Sequence, residues 1–139
     1  MKRMLIAAHG RLAEGLCSAL SLIMGKKEQI AYINAFLSDT PLEKQIDDYF
    51  ASVGKEDQVL VVTDAFFGSV NQKLLMKRRE NSMVVTGANL PLLLELTVLL
   101  DGEEPITMER LKAVADQARE QLMVVDNEEV PQAQDDFDF

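Results

Sequence analysis

Short apolar runs alternate with stretches of helical periodicity throughout the first 125 residues of this chain, and this alternation most restricts the fold that it can adopt. Repeated strand–helix units predict a parallel sheet with right-handed crossovers. For a single α/β domain of this length we expect the doubly wound strand order 2-1-3-4, with the switch point between strands 1 and 3. The four predicted strands are Met4–Ala8, Ile30–Leu37, Gln58–Thr63 and Met83–Thr86.

The connections between the first four strands have recognisable helix signals. The segment Ser38–Glu43 matches a capping box, with Pro41 at the first helical position. The helix that follows the third strand has apolar positions at helical spacing, and we expect it to bury Leu74 and Leu75. Each strand is thus predicted to be covered by an amphipathic helix.

The C-terminal part of the chain adds two helices and a tail. Helices are predicted over residues 92–100 and 108–120, and we interpret the apolar segment Leu122–Val125 as a short fifth strand. Residues 126–139 contain six acidic residues, no lysine or arginine and no periodicity, which predicts an acidic, disordered tail. The folded domain is therefore expected to cover residues 1–125.

The only histidine of the chain, His9, follows directly on the first predicted strand. In open parallel sheets, ligands and reacting groups collect just beyond the carboxyl ends of the strands. In the order 2-1-3-4, Asp64 at the end of strand 3 faces His9 across the switch-point crevice. A carboxylate that accepts a hydrogen bond from one ring nitrogen fixes the tautomer of a neutral histidine and supports the positive ring formed on attack. We therefore predict that His9 is a nucleophile and that Asp64 orients it.

An anion site is expected beside this histidine. Gly68 and Ser69 lie at the start of the third helix, where free backbone N–H groups and the Ser69 hydroxyl can bind a phosphoryl group, and Gly10 could add a further donor. Ser69 is equally suited to cap the helix without any ligand. The chain has no Walker motif, no G-x-G-x-x-G and no carboxylate cluster for a metal, so we expect no cofactor. A histidine that accepts a phosphoryl group would then receive it from another protein.

Three phenylalanines follow the ends of the second and third strands: Phe36, Phe66 and Phe67. Each of them alone is more typical of a core position. Their shared placement near the predicted crevice indicates an apolar surface on which a partner protein could dock.

Composition argues against several functional classes. The net charge is −9, and neither the domain nor the tail has the basic face that nucleic-acid binding requires. Cys17 is the only cysteine, so we expect a buried, inert thiol and neither an intrachain disulfide nor a zinc cluster. Because the apolar runs are too short for a signal peptide or a bilayer span, we expect a cytoplasmic protein.

Three motifs occur in a fixed order, and together they resemble one protein family. They read His9-Gly-x-x-Ala-x-Gly-Leu, Thr63-Asp64-x-x-x-Gly-Ser-x-Asn and Gly87-x-Asn-Leu-Pro. In this order and spacing they look like the IIA component of the mannose-family bacterial phosphotransferase system (PTS). The resemblance covers about residues 3–125, and the combination of motifs is specific where any single motif would not be.

The resemblance implies a cytoplasmic phosphocarrier that forms a homodimer. Such proteins accept a phosphoryl group on the histidine from HPr, the histidine phosphocarrier protein, and pass it to a IIB component. The phosphoryl group then reaches a sugar during its uptake by the membrane subunits IIC and IID. Carried over to this chain, His9 is the phosphorylated residue, Asp64 orients it and Ser69 contacts the phosphate. The resemblance also implies that Leu122–Val125 is exchanged between subunits and that helix 92–100 is buried in the dimer.

The sequence departs from the family pattern in the loop before the third helix. The family usually has Gly-Gly-Ser-Pro where this chain has Phe67-Gly-Ser-Val70. The missing glycine makes the loop stiffer and bulkier, and the missing proline removes a pre-set first helical turn. No IIB domain follows in this sequence, so we expect the acceptor to be a separate polypeptide.

Two alternatives stay open at this point. The phosphocarrier subunit of a dihydroxyacetone kinase is similar in fold and uses the same histidine chemistry, but it usually lacks the turn Asn89–Pro91 that this chain has. A non-catalytic regulatory or interaction protein with the same fold is favoured by the altered loop at Phe67 and Val70 and disfavoured by the retention of both predicted site residues. A flavodoxin-like cofactor binder is excluded because His9–Leu12 is too short and too bulky to form a phosphate-binding loop.

Overall fold

The computed structural model describes residues 1–126, and the predicted acidic tail beyond Asp126 lies outside the described residues. Four strand–helix pairs follow one another along the chain, and a fifth helix follows directly on the fourth. The elements are β1 (Lys2–His9), α1 (Leu12–Met24), β2 (Ile30–Ala35), α2 (Leu42–Ser52), β3 (Gln58–Thr63), α3 (Ser69–Lys77), β4 (Ser82–Thr86), α4 (Leu90–Asp101) and α5 (Met108–Arg119).

The four strands form one parallel sheet in the order β2-β1-β3-β4, which confirms the predicted order. Strand β1 pairs with β3 as far as Ala7, opposite Thr63, and with β2 as far as His9, opposite Ala35. Because β1 extends two residues beyond its pairing with β3, His9 reaches the level of the loop that follows Thr63. The register therefore places His9 beside the residue after β3, which is Asp64.

Two apolar clusters cover the two faces of the sheet. On one face, residues such as Met4, Ile6 and Leu60 pack against α1, α4 and α5. On the other face, Leu5 and Val61 belong to the cluster that includes residues of α2 and α3. Alternate residues of β1 thus pack into the cores on opposite faces of the sheet, and the sequence of the strand is therefore apolar almost throughout.

Helix α4 owes its unusual hydrophobicity to this monomer core. Leu92, Leu93, Leu96, Leu99 and Leu100 are all buried within the chain. The helix is capped by the side chain of Asn89, which accepts a hydrogen bond of 2.9 Å from the N–H of Leu92. The apolar character of the helix therefore needs no dimer to explain it.

The capping box predicted before α2 is wrong. Pro41 is the N-cap residue and the helix begins at Leu42, without a side-chain capping bond. The Ser38 hydroxyl instead accepts a hydrogen bond of 3.3 Å from the N–H of Thr40. Local hydrogen bonding of this kind competes with helix capping, and here it turns the chain before the helix starts.

One strand boundary and the burial of one leucine also differ from the sequence prediction. Strand β2 ends at Ala35 rather than at residue 37, because Phe36 adopts a left-handed backbone conformation with φ of 67°. On α3, Leu74 is buried as predicted, whereas Leu75 is 40% exposed. The inward face of that helix consists of Val70, Asn71 and Leu74, so Leu75 is turned away from the sheet.

The predicted fifth strand does not form in the described chain. Residues 122–125 follow α5 without any strand assignment, and Leu122 and Val124 are almost fully exposed. Within residues 1–126, strand β4 pairs with β3 alone. The exchange of residues 122–125 between subunits stays a prediction.

The described part of the chain offers little to other classes of site. None of its helices is both long and apolar enough to cross a membrane. Among residues 1–126, no group of three or more histidine, cysteine, aspartate or glutamate side chains is arranged to hold a metal ion. Cys17 is half-buried, and burial raises the pKa of its thiol to about 11, so it stays protonated at neutral pH.

Candidate functional site

The site centres on the side chains of His9 and Asp64, which the sheet register brings together. The ring nitrogen Nδ1 of His9 lies 2.6 Å from Oδ2 of Asp64. The same carboxylate oxygen accepts a hydrogen bond of 2.9 Å from the backbone N–H of His9. Oδ1 of Asp64 accepts a further bond of 3.0 Å from the N–H of Ala65. The carboxylate is thus surrounded by three donors, two of which belong to His9.

These donors keep the Asp64 carboxylate ionised. Its side chain is 12% exposed, and desolvation alone would raise the pKa of Asp64. The hydrogen bonds from the backbone and the ring of His9 outweigh desolvation and hold the pKa of Asp64 below its usual range. An ionised carboxylate only accepts hydrogen bonds, so the proton of the neutral imidazole lies on Nδ1. The lone pair is then on Nε2.

Nε2 of His9 lies at the accessible edge of the site, close to the start of α3. The His9 side chain is 49% exposed, and Nε2 is 3.5 Å from Oγ of Ser69. Ser69 is the first residue of α3, and Gly68 is its N-cap residue. In the described residues, no hydrogen bond occupies the N–H of Ser69. A hydroxyl and a free helix N-terminal amide therefore lie beside Nε2 of His9, an arrangement that suits anion binding.

Gly10 and Gly68 shape the site more than they donate to it. Gly10 has φ of 60°, and its N–H donates to the carbonyl oxygen of Ala35 over 3.0 Å. The N–H of Gly68 donates to the carbonyl oxygen of Ala65 over 3.1 Å. A Cβ atom at residue 68 would lie 3.2 Å from that oxygen and 3.4 Å from Cε1 of His9. The expected donation from either glycine to a phosphoryl group would require these bonds to open.

A buried polar network holds the loop between β3 and α3. The hydroxyl of Thr63 donates to Oδ1 of Asn71 over 2.7 Å, and Nδ2 of Asn71 donates to the carbonyl oxygen of Phe66 over 3.0 Å. The carbonyl oxygen of Thr63 also accepts the N–H groups of Gly87 and Ala88, both at 3.0 Å. Asn71 appeared in the sequence only as part of a motif, and its place as the anchor of the Asp64 loop was not predicted.

Asn34 is a second residue that sequence reasoning missed. Its Oδ1 accepts the N–H of Glu14 over 3.2 Å, and its Nδ2 donates to Oε1 of Glu14 over 2.9 Å. This pair of bonds fixes the first turn of α1 to the end of β2, next to His9. The available signal was an asparagine inside an otherwise apolar strand, a position where its amide must find a partner.

The three phenylalanines predicted near the crevice are all exposed. The ring of Phe36 lies 5.3 Å from the His9 ring, centroid to centroid, with the planes tilted by 50°. Phe66 and Phe67 contact each other edge to face at 4.8 Å, and Phe67 is 86% exposed. None of the three is therefore a core residue, in contrast to the ordinary placement of phenylalanine.

We expect Asn71→Ala to destabilise the domain by about 1–3 kcal/mol, because it leaves the buried Thr63 hydroxyl and the Phe66 carbonyl oxygen without their partner. Urea denaturation monitored by circular dichroism measures this loss. The matched control is Gln72→Ala, an exposed neighbour on the same helix, which should change the free energy of unfolding by less than about 0.5 kcal/mol. Equal stability of the two variants would contradict the anchoring role of Asn71.

Similarity to known proteins agrees with this geometry. The model of the family EIIA-man, described as the PTS system fructose IIA component, matches residues 3–124. The mannose-specific EIIAB component of the PTS from Escherichia coli K12 is 28% identical over 120 residues. That alignment covers 83% of this chain and 36% of the relative, so the chain spans about a third of the length of that protein.

Solved structures show the same fold. A phosphoenolpyruvate-dependent sugar PTS permease from Klebsiella pneumoniae superposes with a TM-score of 0.81 at 28% identity, covering 88% of this chain and 90% of that one. A PTS IIA protein associated with the fucose utilization operon of Streptococcus pneumoniae has a TM-score of 0.69 at 25% identity, covering 88% and 92%. The family model spans nearly the whole described domain, and the chain belongs to the EIIA-man family of PTS IIA components.

Proposed function

We propose that this chain is a phosphocarrier in sugar uptake, which accepts a phosphoryl group on Nε2 of His9 from phospho-HPr and passes it to a separate IIB component. IIA components of the PTS take part in phosphoryl transfer, and this chain belongs to that family. The observation that carries the proposal is the arrangement of His9, with Nδ1 held 2.6 Å from Asp64 and Nε2 at an accessible edge beside Ser69.

The transfer step follows from this arrangement. The lone pair of Nε2 forms a bond to phosphorus while the phosphorus–nitrogen bond of the donor phosphohistidine breaks, and its electron pair returns to the donor ring. The proton on Nδ1 stays in place, so the His9 ring becomes positive, and the ionised Asp64 stabilises that charge. The Ser69 hydroxyl and N–H can donate to the phosphoryl oxygens. Delivery to the IIB component is the same step in reverse, with the acceptor's nucleophile in place of the donor.

The partner proteins would dock around the exposed edge of His9. Phe36 packs against the His9 ring, and Phe66 and Phe67 are exposed in the loop that follows Asp64. Aromatic side chains are typical of the central part of protein interfaces. We propose that they form the docking surface for HPr and for the IIB component in turn. The membrane subunits IIC and IID would be reached only through the IIB component, which fits a cytoplasmic carrier domain of residues 1–125.

We also propose that the carrier is a homodimer in which residues 122–125 pair with β4 of a second copy. Within residues 1–126, the outer edge of β4 has no strand partner. A cavity of about 310 Å³ adjoins that edge, between β4 and α5, and Val85 and Leu111 line it. The apolar side chains of Leu122 and Val124 are exposed in the single chain and would be covered by such an exchange.

Intact-mass measurement after incubation with phosphoenolpyruvate, enzyme I and HPr tests the carrier function. We expect the wild-type chain to gain one phosphoryl group, which acid removes, and His9→Ala to gain none. Because His9 is the only histidine of the chain, an acid-labile phosphoryl group can be assigned to it directly. The fold of His9→Ala should be unchanged by circular dichroism, since this half-exposed side chain contributes little to either core.

The contrary result is a folded wild-type chain that stays unmodified while HPr itself is phosphorylated. Repeating the reaction with HPr from the native host removes the possibility of a mismatched donor. If that reaction also fails, the proposal is wrong and the non-catalytic alternative is supported.

A further inference from the structure

We infer that Phe36 is a positioning residue for His9, held against the imidazole by a strained backbone so that the ring stays oriented when it becomes positive. The inference rests on the proposed function, because it concerns the state of His9 during phosphoryl transfer. It goes beyond a docking role, which would require only that the phenylalanine be exposed.

The first observation is the backbone of Phe36, whose φ of 67° lies in the left-handed region. Among residues 1–126, it is the only residue other than glycine with a positive φ. A bulky side chain in this conformation is unfavourable, and glycine or asparagine would adopt it more easily. Strain of this kind persists where the surrounding structure enforces it, and it is concentrated at functional sites.

The second observation is the position that the left-handed backbone gives to the Phe36 ring. Ala35 pairs with His9 in the sheet register, and its carbonyl oxygen accepts the N–H of Gly10, so the chain segments after β1 and β2 are tied together. The left-handed turn at Phe36 ends β2 there and places its ring 5.3 Å from the His9 ring. The Phe36 side chain is 57% exposed, so burial of apolar surface does not account for its position.

The third observation is that the contact lies where the reaction creates charge. Asp64 holds Nδ1, Ser69 lies beside Nε2 and Gly68 lies close to Cε1, while the Phe36 ring packs against the imidazole with its plane tilted by 50°. A cation over the face of an aromatic ring, within about 6 Å of its centroid, is attracted by the ring quadrupole. Phe36 thus limits the rotation of the imidazole, and it attracts the positive ring where that ring meets its face.

Three variants separate the positioning of His9 from docking. Phe36→Gly relieves the backbone strain and removes the aromatic ring. Phe36→Tyr keeps the aromatic ring and the strained backbone. Phe67→Ala is the docking control, since it removes an exposed phenylalanine that contacts Phe66. Thermal unfolding gives the Tm of each variant. Carbon-13 relaxation of the ring C–H groups of His9 gives the mobility of the imidazole, and rapid quench with phospho-HPr gives the rate of phosphoryl acceptance.

We expect Phe36→Gly to raise or preserve the Tm, by up to about 5 °C, while His9 becomes more mobile and accepts phosphoryl about tenfold more slowly. Phe36→Tyr should match the wild type in all three measurements. Phe67→Ala should leave the mobility of His9 unchanged, whatever it does to the affinity for HPr. Gained stability together with a more mobile His9 ring and slower transfer is the signature of a strained positioning residue. Loss of a docking side chain alone would slow transfer without loosening His9.

Each contrary result overturns a defined part of the inference. A clear drop in the Tm of Phe36→Gly would show that the left-handed conformation is not strained. Wild-type rate and wild-type ring mobility in that variant would show that Phe36 does not position His9. If the wild-type chain accepts no phosphoryl group, the proposed function fails, whereas the Tm and relaxation data still decide the contact between Phe36 and His9.

Discussion

We expect Asp64→Asn to slow phosphoryl acceptance by about 100-fold or more and to leave the fold intact, because an amide cannot satisfy the three donors that converge on this side chain. The carboxylate accepts the backbone N–H and Nδ1 of His9 and the N–H of Ala65. An amide has one acceptor and one donor, so at least one of these contacts becomes a clash between two N–H groups. Loss of a positioned carboxylate beside a reacting histidine is costly because the tautomer and the charge of the ring both depend on it.

The two orientations of the new amide fail in different ways. If its oxygen faces His9, the Nδ1 tautomer is kept, but the negative charge is lost and the NH₂ group meets the N–H of Ala65. If its NH₂ group faces His9, it donates to Nδ1 and drives the proton to Nε2, which removes the lone pair that must attack phosphorus. Both orientations predict a slower reaction.

Single-turnover transfer from phospho-HPr to Asp64→Asn measures this effect. The matched control is Asp57→Asn, since Asp57 is also a hydrogen-bonded carboxylate whose pKa lies well below its usual range, at about 2, because of its bond to Arg3. Asp57 lies just before β3, at the amino ends of the parallel strands, whereas His9 lies at their carboxyl ends. Asp57→Asn should lower stability without slowing transfer, and unchanged transfer in Asp64→Asn would contradict the orienting role of Asp64.

The pH dependence of stability gives an independent measure of the same carboxylate. The pKa of Asp64 is lower in the folded chain than its ordinary value of 3.8. The ionised form therefore contributes stability at neutral pH, and this contribution is lost as the pH falls through the folded-state pKa. The difference in unfolding free energy between the wild type and Asp64→Asn should shrink as the pH falls below about 3.8 and approaches the lower folded-state pKa. A constant difference would mean that ionisation of Asp64 does not stabilise the fold.

We expect Leu93→Ala to destabilise the domain by about 2–5 kcal/mol, which is a large share of the stability of a domain of this size. Leu93 is fully buried in the cluster between the sheet and α1, α4 and α5, so the truncated side chain leaves a cavity. Chemical denaturation followed by circular dichroism measures the loss. Because the cluster also contains Ala8, the residue before His9, we expect phosphoryl acceptance to decline near the new Tm.

Val98→Ala is the control for this prediction, because Val98 lies on the same helix and is 59% exposed. The substitution should change the free energy of unfolding by less than about 0.5 kcal/mol. If the two variants lost equal stability, the loss would come from a general weakening of helix α4 and not from the packing of its inner face. A loss below about 1 kcal/mol for Leu93→Ala would contradict the two-layer core.

The sheet was predictable because its signals are local and redundant. Strand β3 has the predicted bounds, Gln58–Thr63, since a continuous apolar run between polar residues leaves little choice. The strand order follows from general topology rules, and once it is assumed, His9 and Asp64 must meet. The pairing of the two site residues was therefore predicted from the fold, although their hydrogen bonds could not be.

The details that were not predictable depend on contacts between distant segments. Nothing in the sequence around Phe36 predicts a left-handed residue, because bulky side chains disfavour that conformation. Asn34 caps α1 from another strand, so no local capping pattern reveals it. Ser69 was considered as an N-cap, but Gly68 is the N-cap residue and the helix begins at Ser69, one residue earlier than that reading requires. The Ser69 hydroxyl lies 3.5 Å from Nε2 of His9.

Asp64 binds two N–H groups of His9, and this restricts how partner proteins can reach Nε2. Because both Nδ1 and the backbone N–H of His9 are bound to one carboxylate oxygen, Nε2 offers a single direction of approach. Under the proposed function, donor and acceptor must then use the same entrance in turn and cannot be bound together. The turnover rate is then limited by how fast each partner dissociates. With an association rate constant of about 10⁷ M⁻¹s⁻¹, a turnover of about 100 s⁻¹ requires dissociation constants of about 10 μM or weaker. Tight binding of either partner would slow sugar uptake.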